Sequence, residues 1–422
     1  MRLRPRLAAL VFSQPETEEE GIMRQLSRTV RGIQRSPIRA MKDAAAAYAD
    51  AIHLELGQPD FPAPQHVIEA ACRAARSEYT GYTANAGMQE LRKAVVVKLE
   101  RENGYSAPVD GVVVTIGAME AVFASMAVLV DAGDEILIPD PGYGNFCMAA
   151  NILKAQPVRY PTLPERDFIP DMDRLATLVT PNTRALLVNS PSNPTGAVYT
   201  EETLRTLYDF CVAHDLYLIS DETYDQLIFE GEHISPARWD DDGRVISIYT
   251  TSKTYAMTGW RVGFVVAHPD VAAAITKVQE PIVSCVNTVA QHAAISALLG
   301  PQDCVEAMRQ EYRFRRDLAV DLAQQAGLQV SFPHGAFYLL VDISVSGQDA
   351  VAFSQGLLDE EHVAVAPGSS FGSILDRYVR ISLCAGPEEL SDGLERLARH
   401  LHRLTEAQST QAGAAETLRV SA

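Results

Sequence analysis

"VISIYTTSKTYAMTGWRVGFVVA", Val245 to Ala267, places two apolar runs on either side of a lysine set among hydroxyl residues. "VISIY" and "GFVVA" are short, continuous and rich in β-branched residues, the pattern of strands buried on both faces. Between them Lys253 follows Thr250, Thr251 and Ser252, and Arg261 follows a Gly-Trp pair. One amine, several hydroxyls and a guanidinium directly after a strand point to a ligand-holding turn.

The pattern extends outward from this stretch. "VVVTI" from Val112, "EILIP" from Glu135, "ALLVN" from Ala185 and "LYLIS" from Leu216 are further apolar runs, separated by amphipathic stretches such as "EETLRTLYDFCVAHD" from Glu201. Strand alternating with helix predicts an α/β fold: a large domain whose mostly parallel sheet is flanked by helices. After Pro301 the pattern changes. A long charged helix (303–325), strand-like "GAFYLLVDI", a helix near 349–360, "RYVRISL" and a last helix (387–404) predict a smaller α+β domain. The segment before residue 64 is expected to complete it, so this domain is built from both chain ends. The expected boundaries are a disordered tail at 1–23, small domain at 24–64, a large cofactor-binding domain at 65–300, small domain again at 301–404, and a second disordered tail at 405–422, which is polar and made of small residues.

The 422 residues are 47% hydrophobic and 21% charged, enough for a large core and more than one compact unit. A net charge of -18 argues against nucleic acid as a partner, because phosphate contacts need clustered Lys and Arg. The six cysteines are scattered with no CxxC pair, so neither a metal site nor a disulfide framework is expected, and a reduced, cytoplasmic setting is. No apolar run is long enough to span a membrane. The start, "MRLRPRLAALVF", leads into acidic "PETEEEG" without a clear cleavage site and reads as a tail, not an export signal.

Ligands in open α/β sheets bind beyond the carboxyl ends of the strands. Five such ends carry unusual residues: "GAMEA" (Gly117 to Ala121), "DPGYGNF" (Asp140 to Phe146), "NSPSNPTG" (Asn189 to Gly196), "DETYD" (Asp221 to Asp225) and "TTSKT" (Thr250 to Thr254). One would be a plain turn; five suggest a crevice. Gly117 opens a helix, so backbone N–H groups there face an anion at the positive helix end, although an ordinary strand-to-helix turn has the same pattern. Joined by the Thr250 and Ser252 hydroxyls and the Arg261 guanidinium, it becomes a phosphate cup. Asp221 follows a buried strand, as a cap, a paired surface acid or a carboxylate that keeps a ring nitrogen protonated. Asn193 and Tyr224 suit a phenolic oxygen, or local turn chemistry. Lys253 suits a Schiff base; most lysines are solvated surface groups, and here the surrounding set outweighs that reading.

These residues also carry a resemblance. "LELGQPDF", "GYTANAGMQELR", "PGYGNF", "NSPSNPTG", "SDETYDQL", "SKTYAMTGWRVG", "HGAFY" and "RYVRISL", in this order, resemble the fold-type I pyridoxal-phosphate enzymes of the class I/II aminotransferase group, from about Ala51 to Leu401. The resemblance implies pyridoxal 5'-phosphate as cofactor and amino-group transfer from an L-amino acid to a 2-oxo acid. It makes Lys253 the Schiff-base lysine and proton shuttle, Asp221 the partner of the ring nitrogen, and Asn193 and Tyr224 the partners of the phenolic oxygen. Tyr143 stacks on the ring. Gly117, Ala118, Met119, Thr250, Ser252 and Arg261 hold the phosphate. Met119 and Glu120 stand where many relatives carry more polar residues. Arg380 grips the substrate α-carboxylate with Asn193 and the Gly57 backbone. Tyr82, and with it Thr288, reaches the phosphate of a neighbouring subunit, so the resemblance implies a homodimer with shared active sites.

The substrate side chain is less determined. No arginine stands in "VQEPIVSCVNTVAQ", where one dicarboxylate-specific subgroup brings one from the partner, so an Asp/Glu preference is not supported. Glu55 suits a cationic side chain or a solvated strand edge, and Phe337 and Tyr338 are expected to wall the pocket. The same residues also serve elimination, replacement or cyclisation in a specialised biosynthetic pathway. A sensor half of a transcription regulator is disfavoured: only about 50 residues precede "LELGQPDF", without a convincing helix-turn-helix, and the chain is acidic.

Overall fold

The computed structural model describes residues 26–33, 36–77 and 79–420. They form two compact units. One holds the described residues up to Gly57, Arg315–Phe332 and the chain from Tyr338 onward; the other holds Gln58–Phe314 and Pro333–Phe337.

Strand β1 (Ile52–His53) belongs to the smaller unit. The next seven strands form one sheet in the larger: β2 (Val112–Thr115), β3 (Glu135–Asp140), β4 (Gln156–Pro161), β5 (Thr183–Asn189), β6 (Tyr217–Asp221), β7 (Val245–Thr250) and β8 (Gly263–Val266). Their order is β2-β8-β7-β6-β5-β3-β4. β8 runs antiparallel to both neighbours and all other pairs are parallel, as the expected mostly parallel sheet requires. The stretch between β7 and β8 turns straight back, whereas parallel strands need a full crossover.

Apolar runs, not alternation, build this sheet because both faces are covered. Ile219, Ile246, Ile248 and Val265 pack with Val122 and Phe146 from the helices Gly117–Leu129 and Asn145–Ile152. Their neighbours Leu186, Val188, Leu218 and Val245 point the other way, onto Leu204 and Leu207 of the helix Glu201–Ala213. Each fully buried aliphatic side chain there contributes about 1.5–3 kcal/mol over its exposed state. Sequence reading missed β4. It lies at the sheet edge, where its two prolines leave no ladder bond unmade on the open side.

In the smaller unit β9 (Gln329–Val330), β10 (Tyr338–Asp342), β12 (Ala366–Pro367) and β13 (Tyr378–Ser382) form an antiparallel sheet in the order β12-β13-β10-β9. β11 (Val363–Ala364) pairs in parallel with β1, which joins the N-terminal segment to the C-terminal one as expected.

Three boundaries differ from expectation. The larger unit begins at Gln58 and keeps the first part of the helix Asp303–Gln325, up to Phe314. Pro333–Phe337 returns to it. His334 N and Gly335 N donate to Gly196 O at 2.9 and 3.0 Å, and Ala336 N donates to Leu227 O at 2.8 Å. The last helix runs Pro387–Val420, so the tail expected at 405–422 is helical to Val420. The Ala, Gln and Glu residues read there as a tail are also strong helix formers, and no proline interrupts them. The tail expected at 1–23 lies outside the described residues. Among the described residues no helix is long and apolar enough to cross a membrane.

Candidate active site

The carboxyl ends of β2, β5, β6 and β7 gather the chemistry within the larger unit. At the end of β2 the chain enters the helix Gly117–Leu129 through Gly117, whose φ of +70° falls in the left-handed region that glycine tolerates. A Cβ at Gly117 would stand 2.5 Å from Arg261 Nη2. A Cβ at Gly263 would stand 2.6 Å from the carbonyl carbon of Gly117. Two glycines thus let β8, the helix start and the guanidinium close on one another. Arg261 itself has φ +57°, and its guanidinium donates to Thr258 O at 2.8 Å and Ile116 O at 3.3 Å. It stands beside a helix start, the kind of place whose first N–H groups have no intrahelical partner and can cradle an anion. Ala118 and Met119 occupy the first turn, half-buried. Glu120 accepts from Ile116 N and closes the turn from inside, while burial raises its carboxyl above the usual range.

Thr250 ends β7 and caps the short helix Thr251–Thr254, accepting from Ser252 N at 3.1 Å. Its hydroxyl donates to Ser252 Oγ at 2.9 Å, and both residues are buried. Lys253 follows on that helix with its Nζ 5.7 Å from the centre of the Phe337 ring. Tyr224 packs edge-on against the same ring, 5.4 Å between centroids.

Asp221 ends β6 in register with Asn189 on β5. It is 6% exposed, and burial pushes its carboxyl up to about 6, against hydrogen bonds from the Thr223 hydroxyl and N–H that favour the ionised form. Asn189 Nδ2 donates to Asp221 O at 3.1 Å, while Asn189 Oδ1 accepts from Asn193 N at 2.8 Å. One amide therefore fixes Asn193 relative to Asp221. Tyr143 lies after β3, its hydroxyl accepting from Asn145 Nδ2 at 3.0 Å.

Gly57 and Arg380 belong to the smaller unit. The Arg380 guanidinium sits 4.1 Å from the Tyr338 ring centre and 4.8 Å from that of Phe371, and donates to Glu55 O at 2.5 Å. Two aromatic faces and a carbonyl hold its planar fork in one orientation. A Cβ at Gly57 would collide with the Tyr338 hydroxyl, so only glycine fits there. The Glu55 side chain is fully buried with Oε1 on His53 Nδ1 at 3.0 Å, which corrects its reading as a solvated strand-edge acid.

Tyr82 is 94% exposed, an unusual place for a large aromatic residue. Thr288 Oγ1 donates to Gly81 O at 2.6 Å, so the structure brings the two loops together. Beside the cradle lies a cavity of about 570 Å³ lined by Ile116, Trp260, Arg261, Val286, Asn287 and Ala290. Sequence reading missed Asn189 and Thr223 as supports; a polar residue closing an apolar strand was the available signal for Asn189.

The sequence model of the family described as "Aminotransferase class I and II" matches residues 49–401. The chain is 37% identical over 373 residues to the aspartate aminotransferase of Pyrococcus horikoshii, covering 87% of this chain and 95% of the relative. It is 39% identical over 388 residues to the aspartate/prephenate aminotransferase of Thermus thermophilus, covering 90% and 100%. The solved structure of aspartate aminotransferase from Thermus thermophilus with maleate matches with a TM-score of 0.86 at 38% identity, over 90% of this chain and 100% of the other. The aromatic aminotransferase of Pyrococcus horikoshii OT3 matches at 0.82 and 39%, over 86% and 99%.

Proposed function

This chain belongs to the class I and II aminotransferase family and is a transferase of amino groups, and we propose that it works with pyridoxal 5'-phosphate anchored on Lys253, between an L-amino acid and a 2-oxo acid. The observation that carries the cofactor is the donor set at the strand ends. A cradle too tight for a Cβ joins a guanidinium, two hydroxyls and a helix start, and suits a phosphate dianion. Asp221, buried and raised, suits a cationic ring N–H, which would restore its ionised form. Asn193 and Tyr224 would take the phenolic oxygen, and Tyr143 would cover the ring face.

Bound there, the group supplies an aldehyde that condenses with amines and a protonated ring that draws electrons from the substrate α-carbon. The chain supplies the rest. Arg380 binds the substrate α-carboxylate through its fork. Asp221 would hold the positive charge of the ring N–H. Lys253 Nζ would take the proton from the substrate Cα as general base and hold it for return to the product. The buried setting of Asp221, Thr250 and Ser252 excludes water from these groups.

We further propose a homodimer in which Tyr82 reaches the partner's phosphate, supported by the exposure of its ring and the apolar lining of the cavity beside Arg261. The test mixes cofactor-loaded protein with single amino acids and no oxo acid. Aspartate, prephenate-derived and aromatic partners come first, since relatives carry those names. One equivalent of oxo acid per site, with loss of the Schiff-base absorption band, is the expected result. Ammonia or a cyclised product would replace transfer by another reaction. Borohydride reduction and peptide mapping must place the label on Lys253.

A further inference from the structure

Beneath the turn that begins at Asp221 lies a buried charge network that none of these roles uses. Lys98 closes the helix Gln89–Lys98 and is 5% exposed. Its ammonium donates to Asn103 Oδ1 at 2.6 Å and to Asp225 Oδ2, and Asn103 Nδ2 donates to the same carboxylate at 3.1 Å. Glu102 lies 3.8 Å away. The Lys98 Nζ also sits 4.3 Å from the centre of the Tyr249 ring. Tyr249 donates through its hydroxyl to Glu222 Oε2 at 2.7 Å, and Glu222 pairs with His233 Nε2 at 2.8 Å and accepts from Ser235 at 2.9 Å.

Lys98 therefore touches two elements that carry the site. One is the turn 221–225, with Asp221 and Tyr224. The other is β7, where Tyr249 immediately precedes Thr250. A buried amine is tolerated only when its charge is met, and a satisfied buried network fixes its members in one arrangement. Burial would raise the Asp225 carboxyl, yet Lys98 and His233 hold it below its usual range. The turn thus keeps the Asp225 carboxylate ionised four residues from Asp221, and Lys98 balances it.

We propose that Lys98 is a positioning residue: paired with Asp225 and seated on Tyr249, it fixes the turn that aims the Asp221 carboxylate and the Tyr224 hydroxyl. The proposal rests on the cofactor reading above. Its action is indirect, so its loss is expected in the electronic state of the site and in turnover, not in substrate capture by Arg380.

The experiment uses the cofactor-loaded protein and the variants Lys98→Met, Lys98→Gln and Lys98→Met/Asp225→Asn. The pH midpoint of the Schiff-base absorption band, kcat, KM and the melting temperature are read together. Removing the Lys98 charge leaves the Asp225 carboxylate less compensated, which favours the protonated imine. The midpoint is expected to rise by about one pH unit. kcat is expected to fall about ten- to a hundredfold, as for a misaimed catalytic group, with KM within about twofold. The double variant removes both charges but also the pair that holds the turn, so it is expected to return most of the midpoint and to leave kcat low. Lys98→Gln keeps a donor toward Asn103 and serves if the methionine variant does not fold. A folded variant with an unmoved midpoint and unmoved kcat, even one that melts lower, marks a purely structural lysine and overturns the proposal. So does a double variant whose kcat returns to the wild-type value, which would make Lys98 a charge balance and not a positioning residue. A wild-type protein without any Schiff-base band removes the cofactor reading and this proposal with it, an outcome distinct from the others.

Discussion

Replacing Asp221 by asparagine tests the site without depending on turnover alone. The carboxyl of Asp221 is pushed by burial from 3.8 up to about 6 in the cofactor-free fold. Ionising it there costs about 3 kcal/mol relative to the unfolded chain. A carboxyl whose folded pKa is raised contributes its stability fully below the unfolded pKa and loses it as pH rises through the folded one. Cofactor-free wild type is therefore expected to lose stability between about pH 4 and pH 6, and to stay at the lower level above. The Asp221→Asn side chain would keep an oxygen for the Thr223 donors and never ionise. The cofactor-free variant should match the wild type near pH 4 and melt about 3 °C higher at pH 8, if the chain unfolds as one unit. Loaded with cofactor the order reverses in function: loss of a buried, charge-assisted partner of the ring N–H is expected to lower kcat about a hundredfold or more. Calorimetry of both cofactor-free proteins at pH 4 and pH 8, with stopped-flow turnover, reads both arms. A variant no more stable than wild type at pH 8, or equally more stable at both pH values, would falsify the claim that Asp221 is a buried acid awaiting a cation.

Gly117→Ala is expected to lose about 1–2 kcal/mol of stability from its left-handed backbone and, through the Cβ contact on Arg261, to weaken cofactor binding about tenfold or more; equilibrium dialysis with unchanged affinity would refute the cradle. Arg380→Lys keeps the charge but loses the stacked fork between Tyr338 and Phe371, so KM for amino and oxo acids should rise about ten- to a hundredfold with the absorption spectrum intact. Tyr82→Phe should weaken cofactor affinity about tenfold while sedimentation still reports a dimer. A fully active wild-type monomer on dilution would sink the shared-site reading.

Much of the fold was legible because its signals are local. An apolar run such as "ALLVN" or "VISIY" names a strand covered on both faces, and Gly, Pro, Asn or Asp at its end names a place where the backbone turns to meet something. Lys253, Asp221 and Asn193 stand out for that reason, each following or closing a run with which its chemistry clashes, and Arg261 stands just before one. β4 was lost because an edge strand tolerates prolines that a reader takes for loop. The return of Pro333–Phe337 to the larger unit was lost because it depends on hydrogen bonds to Gly196 and Leu227, far earlier in the chain. The polar end beyond Thr405 fits a tail and a helix equally well by composition.

What the sequence determined by itself is the succession of strands covered on both faces with the helices between them, and the chemical types at the strand ends, since both are written in neighbouring residues. Only the tertiary structure decided which polar groups are buried and against what. Lys98 reads as an ordinary helix lysine until Asp225, 127 positions later, is folded onto it. Glu55 reads as a strand-edge acid until it is enclosed. Burial and pairing of a charge are set by the low-dielectric surroundings and by partners brought from distant chain segments, and neither is carried by the residue or its neighbours.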